Sequence, residues 1–165
     1  LTPALLEMDQ QNPHYSDANM TMRLSYGFVQ DYTAQGNHYD YYTNAQSLLD
    51  KVARQHEIED YRTEDDIVTL IRQNRFGRYA DRSTGDMHLC FLSNNDITGG
   101  NSGSPMFNGK GELIGLAFDG HWEAMSGDIS FNGSLQRCIG VDIRYVLFLM
   151  DKWGHADHLL REMGL

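Results

Sequence analysis

At 165 residues the chain is long enough for one domain with a real core. Lys and Arg number 13 against 23 Asp and Glu, a net charge of −10, which argues against wholesale binding of a phosphate backbone. Hydrophobic residues are 41% and charged residues 22%, a globular balance that excludes a disordered tail. The longest apolar stretch, Tyr145 to Met150, is far below the ~20 residues of a membrane-spanning helix.

Leu1 to Asp9 reads as the end of a helix, with Pro3 suited to a first turn. Gln10 to Asn19 is a polar connection. Met20 to Tyr32 alternates, with Met20, Met22, Leu24 and Tyr26 against Thr21, Arg23 and Ser25, which predicts a strand with Gly27 as a bulge. His38 to Tyr42 predicts a further strand and Gln46 to Arg54 a short helix. Thr63-Glu64-Asp65-Asp66 has capping-box spacing and opens a helix through Ile67, Val68, Leu70 and Ile71. Gly77 to Gly85 is a loop and Met87 to Ser93 a strand.

A polar, Gly-rich loop follows, from Ser93 to Ser104. Strands Pro105–Phe107 and Glu112–Phe118 flank Asn108-Gly109-Lys110-Gly111, a hairpin signal because Gly supplies positive φ. Ile139 to Val141 is the last strand. Asp142 can cap a helix running to Lys152, and another helix follows from His155. The order predicts a mainly β fold with helical additions, not alternating βαβ units. Cys90 and Cys138 either form one bridge or are small buried hydrophobes.

Gly99-Gly100-Asn101-Ser102-Gly103-Ser104-Pro105 is the stretch with chemical content. Glycines on both sides of a serine allow tight left-handed turns that lift the side chain out of the loop. Successive N–H groups in such a turn can converge on one hollow, which the oxyanion of acyl transfer requires. Here the donors would be the N–H groups of Gly100 and Ser102. A flexible surface loop explains the same composition. Other serine chemistries fit less well: Ser104 breaks the Gly-x-Ser-x-Gly elbow, Pro105 excludes Ser-x-x-Lys, and Lys110 lies outside P-loop spacing.

Gly100-Asn101-Ser102-Gly103-Ser104-Pro105, followed by Phe107-Asn108 and Leu113-Ile114-Gly115-Leu116, resembles the nucleophile segment of chymotrypsin-like serine peptidases. With Asn95 to Gly100, Phe118-Asp119-Gly120, Trp122 to Asp128 and Val141 to Phe148, the match narrows. Adding Asp17-Ala18-Asn19 and Thr21 to Leu24, it resembles the C-terminal part of the dipeptidyl-peptidase 7/11 family of bacterial serine exopeptidases. The likeness runs from Asp17 to Leu165 and is weakest over 33 to 80.

That resemblance implies a C-terminal chymotrypsin-like β-barrel over 20–165, closed by a C-terminal helix. It would have a helical insertion at about 44–76, preceded by a helix end and connection at 1–19. Ser102 would be the acyl-forming nucleophile, with Gly100 in the oxyanion hole. Asp119 would hold the substrate's free α-amino group, and Gly120 would shape the P1 pocket. Family members preferring acidic P1 residues carry arginine there, so Gly120 implies an apolar or broad preference. No cofactor or metal is implied. Peptides are the implied substrates, with neither nucleic acid nor membrane as a partner. The full-length enzyme is expected as a homodimer in the periplasm, at the cell surface or secreted by a Gram-negative bacterium.

A serine hydroxyl needs a base. His14, His38, His56 and His88 precede Ser102, and none has the Ala-His-Cys-like setting of the family's triad histidine. The triad His and Asp, the N-terminal barrel and the helical domain are therefore expected on polypeptide outside these residues, leaving this portion inactive alone. Leu1 in place of Met fits a mature product, a processed piece or a fragment. His155 and His158 come nearest to metal-ligand spacing but lack an acidic helper. Two alternatives to the exopeptidase stand: a glutamyl-endopeptidase-like endopeptidase and a non-catalytic peptide-binding barrel.

Overall fold

The computed structural model describes residues 22, 24–55, 58–59, 62–126 and 131–165. The helix end at 1–9, the connection at 10–19, and His14, Arg23, His56 and Asp128 lie outside the described residues.

A hairpin comes first, β1 (Tyr32–Ala34) against β2 (Asn37–Tyr39), turning at Gln35-Gly36. Next come β3 (Tyr42–Asn44) and helices α1 (Ala45–Gln55) and α2 (Asp65–Arg72). They lead to β4 (His88–Ser93), β5 (Pro105–Phe107), β6 (Leu113–Gly120) and β7 (Cys138–Asp142). Helices α3 (Ile143–Lys152) and α4 (Asp157–Glu162) end the chain. Single 3₁₀ turns stand at Gly77–Tyr79 and Trp122–Ser126.

The main sheet has the order β3-β4-β7-β6-β5, all neighbours antiparallel. The expected hairpin at 108–111 joins β5 to β6, and Asn108 Oδ1 accepts the N–H groups of Lys110 and Glu112 at 2.9 and 3.0 Å. The fold is mainly β with helices, as expected, but the barrel corrects to an open sheet plus a separate hairpin among the described residues. The reason lies at the edges. β5 pairs with β6 over only three residues, and the stretch before β1 touches β4 through one bridge, Val29 to Ser93.

Gly27 is also corrected. It marks a close approach in place of a bulge: a Cβ there would lie 2.4 Å from Asn94 Oδ1 and 2.9 Å from Asn95 N. Phe28 N–H donates to Asn94 Oδ1 at 2.6 Å, and Ser25 Oγ donates to Asp96 O at 2.8 Å. The side chains of Met22, Leu24, Tyr26 and Phe28 are all exposed, so the predicted alternation buries neither face among the described residues.

The core sits between the sheet and the helices, where Ala45, Ile71, Phe76, Tyr79, Met87, Leu89 and Phe148 pack together. Phe148 receives Phe76 and Tyr79 edge-on at 5.8 and 5.9 Å. Within the sheet, Phe91 takes the space that side chains at Gly115 and Gly140 would fill.

Asp142 caps α3 as predicted, accepting the Arg144 N–H at 2.9 Å. The same carboxylate holds the Arg144 guanidinium at 2.9 and 2.7 Å, and Arg144 Nη1 reaches Asp81 Oδ2 at 3.1 Å. These contacts tie the start of α3 to Asp81, and the same carboxylates hold the guanidinium above its ordinary pKa. The capping box at Thr63 does not form. Glu64 occupies the cap position without a side-chain bond, and Asp65 and Asp66 in the first turn favour the helix dipole instead.

Candidate active site

The loop after β4 is shaped by its own polar groups. Asn101 N–H donates to Thr98 O at 3.2 Å, while Asn101 Oδ1 accepts the Thr98 N–H at 2.8 Å. Asn101 O then accepts the Ser104 N–H at 2.9 Å. The asparagine before Ser102 therefore clamps the turn on both sides. Gly100 and Gly103 adopt φ of +95° and +84°, which a Cβ would strain. Between them Ser102 stands exposed.

The turn is stitched to one strand. Gly103 N–H donates to Ala117 O at 2.7 Å and Ala117 N–H to Ser104 O at 2.8 Å. Ser102 Oγ donates to Phe118 O at 3.1 Å. Phe118 is also the extra residue in β6: Ala117 faces Gly140 and Asp119 faces Ile139 on β7. A bulge turns an alternating strand. Phe118 and Asp119 are consecutive exposed residues as a result, immediately beyond the serine's anchor. Asp119 Oδ1 accepts the Gly120 N–H at 2.7 Å, which fixes the carboxylate on its own strand end. Gly120 pairs with Cys138.

The structure thus brings Gly100, Ser102, Asp119 and Gly120 to one end of the β5–β6–β7 unit. Exposed Phe118, Trp122 and Met125 lie on the same stretch of chain. No described histidine bonds to Ser102. His38 is exposed on β2 between Asp31 and Asp40, at 3.6 Å from each. His88 is buried, stacked on Tyr42 at 4.1 Å with Nδ1 3.3 Å from Arg144. His155 precedes α4 and His158 lies on it, both exposed. No group of metal-ligating side chains occurs among the described residues. Cys90 and Cys138 are free thiols on neighbouring strands, and burial pushes the Cys138 thiol up to about 11, which disfavours its thiolate.

His121 and Arg137, which composition and motifs left unmarked, are both buried just beyond Gly120. His121 N–H donates to Arg137 O at 3.1 Å, and the Arg137 N–H donates back to His121 Nδ1 at 3.3 Å. Only their place in the fold reveals them, since neither sits in a spacing that signals chemistry.

The model of the peptidase S46 family matches residues 1–165, the entire sequence. The chain belongs to the peptidase S46 family. It is 53% identical over 160 residues to dipeptidyl-peptidase 7 of Porphyromonas endodontalis, covering 96% of this chain and 19% of that protein. The Asp/Glu-specific dipeptidyl-peptidase of Porphyromonas gingivalis is 43% identical over 163 residues, covering 98% of this chain and 22% of that protein. The crystal structure of Porphyromonas endodontalis DPP11 in complex with the dipeptide Arg-Glu superposes with a TM-score of 0.84 at 34% identity, over 98% of this chain and 23% of that one. This S46 chain spans about a fifth of the length of the curated relatives it matches.

Proposed function

We propose that these residues form the nucleophile-bearing part of a serine dipeptidyl peptidase. The carrying observation is that one strand, β6, anchors the Ser102 turn at Ala117 and Phe118 and presents Asp119 on the next residue. A nucleophile and a carboxylate fixed on one strand measure a set length from a peptide's amino terminus. The Asp119 carboxylate pairs with the α-ammonium, and Ser102 meets the carbonyl of the second residue. An internal peptide lacks that ammonium and leaves Asp119 unmatched.

In the reaction Ser102 Oγ attacks that carbonyl and its proton passes to a base from the rest of the protein. The carbonyl π electrons move to oxygen, where the Gly100 and Ser102 N–H groups stabilise the oxyanion. Collapse breaks the peptide C–N bond, the shortened peptide leaves as an amine carrying the proton, and a dipeptidyl ester remains on Ser102. Water then releases the dipeptide and restores the hydroxyl.

Gly120 supports an apolar or broad P1 preference. It adds no charge to the pocket, Ala124 stands against it, and the exposed Phe118 and Trp122 lie two residues away on either side in the chain. The P. gingivalis relative named above is Asp/Glu-specific, so acidic P1 substrates belong in the same test.

The experiment uses the full-length protein, dipeptidyl-arylamides with apolar and acidic P1 residues, N-acetylated counterparts, and a fluorophosphonate probe. Activity on free-amine substrates alone, with labelling abolished by Ser102→Ala, is expected. Cleavage of blocked peptides at the same rate marks an endopeptidase. No labelling, with the upstream His and Asp intact, marks a binding barrel.

A further inference from the structure

The chain leaves β6 at Gly120 and re-enters the sheet at Cys138, and the base of this excursion is closed by the His121 ring and the main chain of His121 and Arg137. The reciprocal bonds between His121 and Arg137 form a neck immediately outside the Gly120–Cys138 pair. Arg137 is 3% exposed, and among the described residues its guanidinium donates to main-chain carbonyls. Nε and Nη2 reach Asp31 O at 3.2 and 2.8 Å. Nη1 reaches Gly133 O at 3.0 Å and Gln136 O at 2.8 Å, and Nη2 reaches Ser134 O at 3.3 Å. The same guanidinium stands 5.9 Å over the Tyr32 ring. Tyr32 in turn meets the His121 ring edge-on at 4.5 Å, and His121 Nε2 lies 3.5 Å from Glu123 Oε2.

Burying a guanidinium is costly, and an apolar side chain would fill the same space without that cost. What an arginine adds is direction: a planar fork whose donors reach separate carbonyls at once. Here the carbonyls come from two segments, the start of the hairpin at Asp31 and the turn at 133–136. His121 joins the end of β6 to that assembly. The site is therefore held at both ends. The Ser102 turn is stitched to Ala117 and Phe118, and the strand is held again at His121, two residues past Asp119.

We propose that His121 and Arg137 are positioning residues that set Asp119 and Gly120 relative to Ser102, and so fix the length measured from the substrate's amino terminus. The inference rests on the Ser102 and Asp119 assignments above. Misplacing a binding group by about 1 Å can cost on the order of 10²-fold in rate constants. Loosening the neck moves Asp119 while leaving the Ser102 turn on its own bonds, so substrate binding suffers and the nucleophile does not.

The test compares His121→Phe, which keeps a ring against Tyr32 but loses the acceptor, with His121→Asn, whose side-chain oxygen can accept the Arg137 N–H. Arg137→Lys removes the fork and keeps the charge. All are made in the full-length enzyme, and folding is checked by circular dichroism. For a free-amine dipeptidyl-arylamide, His121→Phe and Arg137→Lys are expected to raise KM roughly tenfold or more with kcat within about threefold. Fluorophosphonate labelling of Ser102 is expected within about twofold of wild type, and His121→Asn is expected to recover most of the KM.

A folded His121→Phe enzyme with unchanged KM overturns the proposal. So does a parallel fall in kcat and labelling, or an Asn variant no better than Phe. If neither His121→Phe nor Arg137→Lys folds, the pair is a folding element and the proposal is likewise overturned. Asp119→Asn, run alongside, separates the two ideas: an unchanged KM there defeats the underlying assignment instead.

Discussion

Ser102 Oγ donates its proton to the main-chain carbonyl of Phe118 at 3.1 Å. A carbonyl oxygen is a poor base, so this bond orients the hydroxyl without activating it. The 165 residues alone are therefore expected to release no dipeptide from an arylamide substrate. Losing the base of a serine peptidase costs on the order of 10⁶ in kcat. Turnover by the purified 165-residue chain that Ser102→Ala abolishes would show that the base lies within it.

Asp119→Asn in the full-length enzyme removes the charge while keeping the oxygen that accepts the Gly120 N–H. Truncating one partner of a desolvated charge pair costs about 2–5 kcal/mol, so kcat/KM for free-amine substrates should fall roughly 10²-fold or more. Labelling of Ser102 should persist. An unchanged kcat/KM would remove the carboxylate from substrate recognition.

Gly120→Arg places a cation where the apolar preference is proposed. A Cβ at this position lies 3.0 Å from the Ala124 Cβ, so the change is best paired with Ala124→Gly. The kcat/KM ratio for acidic over apolar P1 substrates is expected to rise at least about tenfold, the effect of roughly 1.4 kcal/mol. A ratio that does not move would place the P1 side chain elsewhere.

Burial pushes the His121 imidazole below its ordinary pKa, with the nearby Glu123 carboxylate opposing the shift. The folded protein thus favours the neutral ring. Below pH ~6.5 the unfolded chain takes up a proton that the folded one resists, so stability falls as pH drops through that range. The loss levels off below the folded-state value. Urea midpoints measured from pH ~7.5 down to ~5 should decline more steeply for wild type than for His121→Phe. Equal slopes would mean the ring is not held neutral.

Gly115→Ala tests the packing of Phe91. The added Cβ would lie 2.5 Å from Val141 O and 2.6 Å from Phe91 Cε1, one contact being rigid backbone. Overpacking of this kind costs about 1–3 kcal/mol. A variant with an unchanged denaturation midpoint would mean that β6 can shift away from β7 at little cost.

Local chemistry fixed much of this molecule in advance. Gly103 and Gly100 announce a turn that lifts Ser102, Asn108-Gly109 announces the β5–β6 hairpin, and Asp142 announces the start of α3. Each depends on the φ range or capping capacity of a residue within a few positions. The family, too, was legible in the run from Asn95 to Asp128.

Only the tertiary structure decided how far the sheet closes, because closure depends on pairing between segments far apart in sequence. The same holds for Gly27, whose lack of a side chain answers to Asn94 and not to its neighbours in sequence. The bulge at Phe118 is set by register against β7, and alternation within β6 carries no mark of it. The His121–Arg137 neck is the clearest case. Sixteen residues separate the pair, and Arg137 finds Asp31 over a sequence distance of 106. A buried guanidinium that bonds main-chain carbonyls needs no particular partner residue, so it leaves no motif to read.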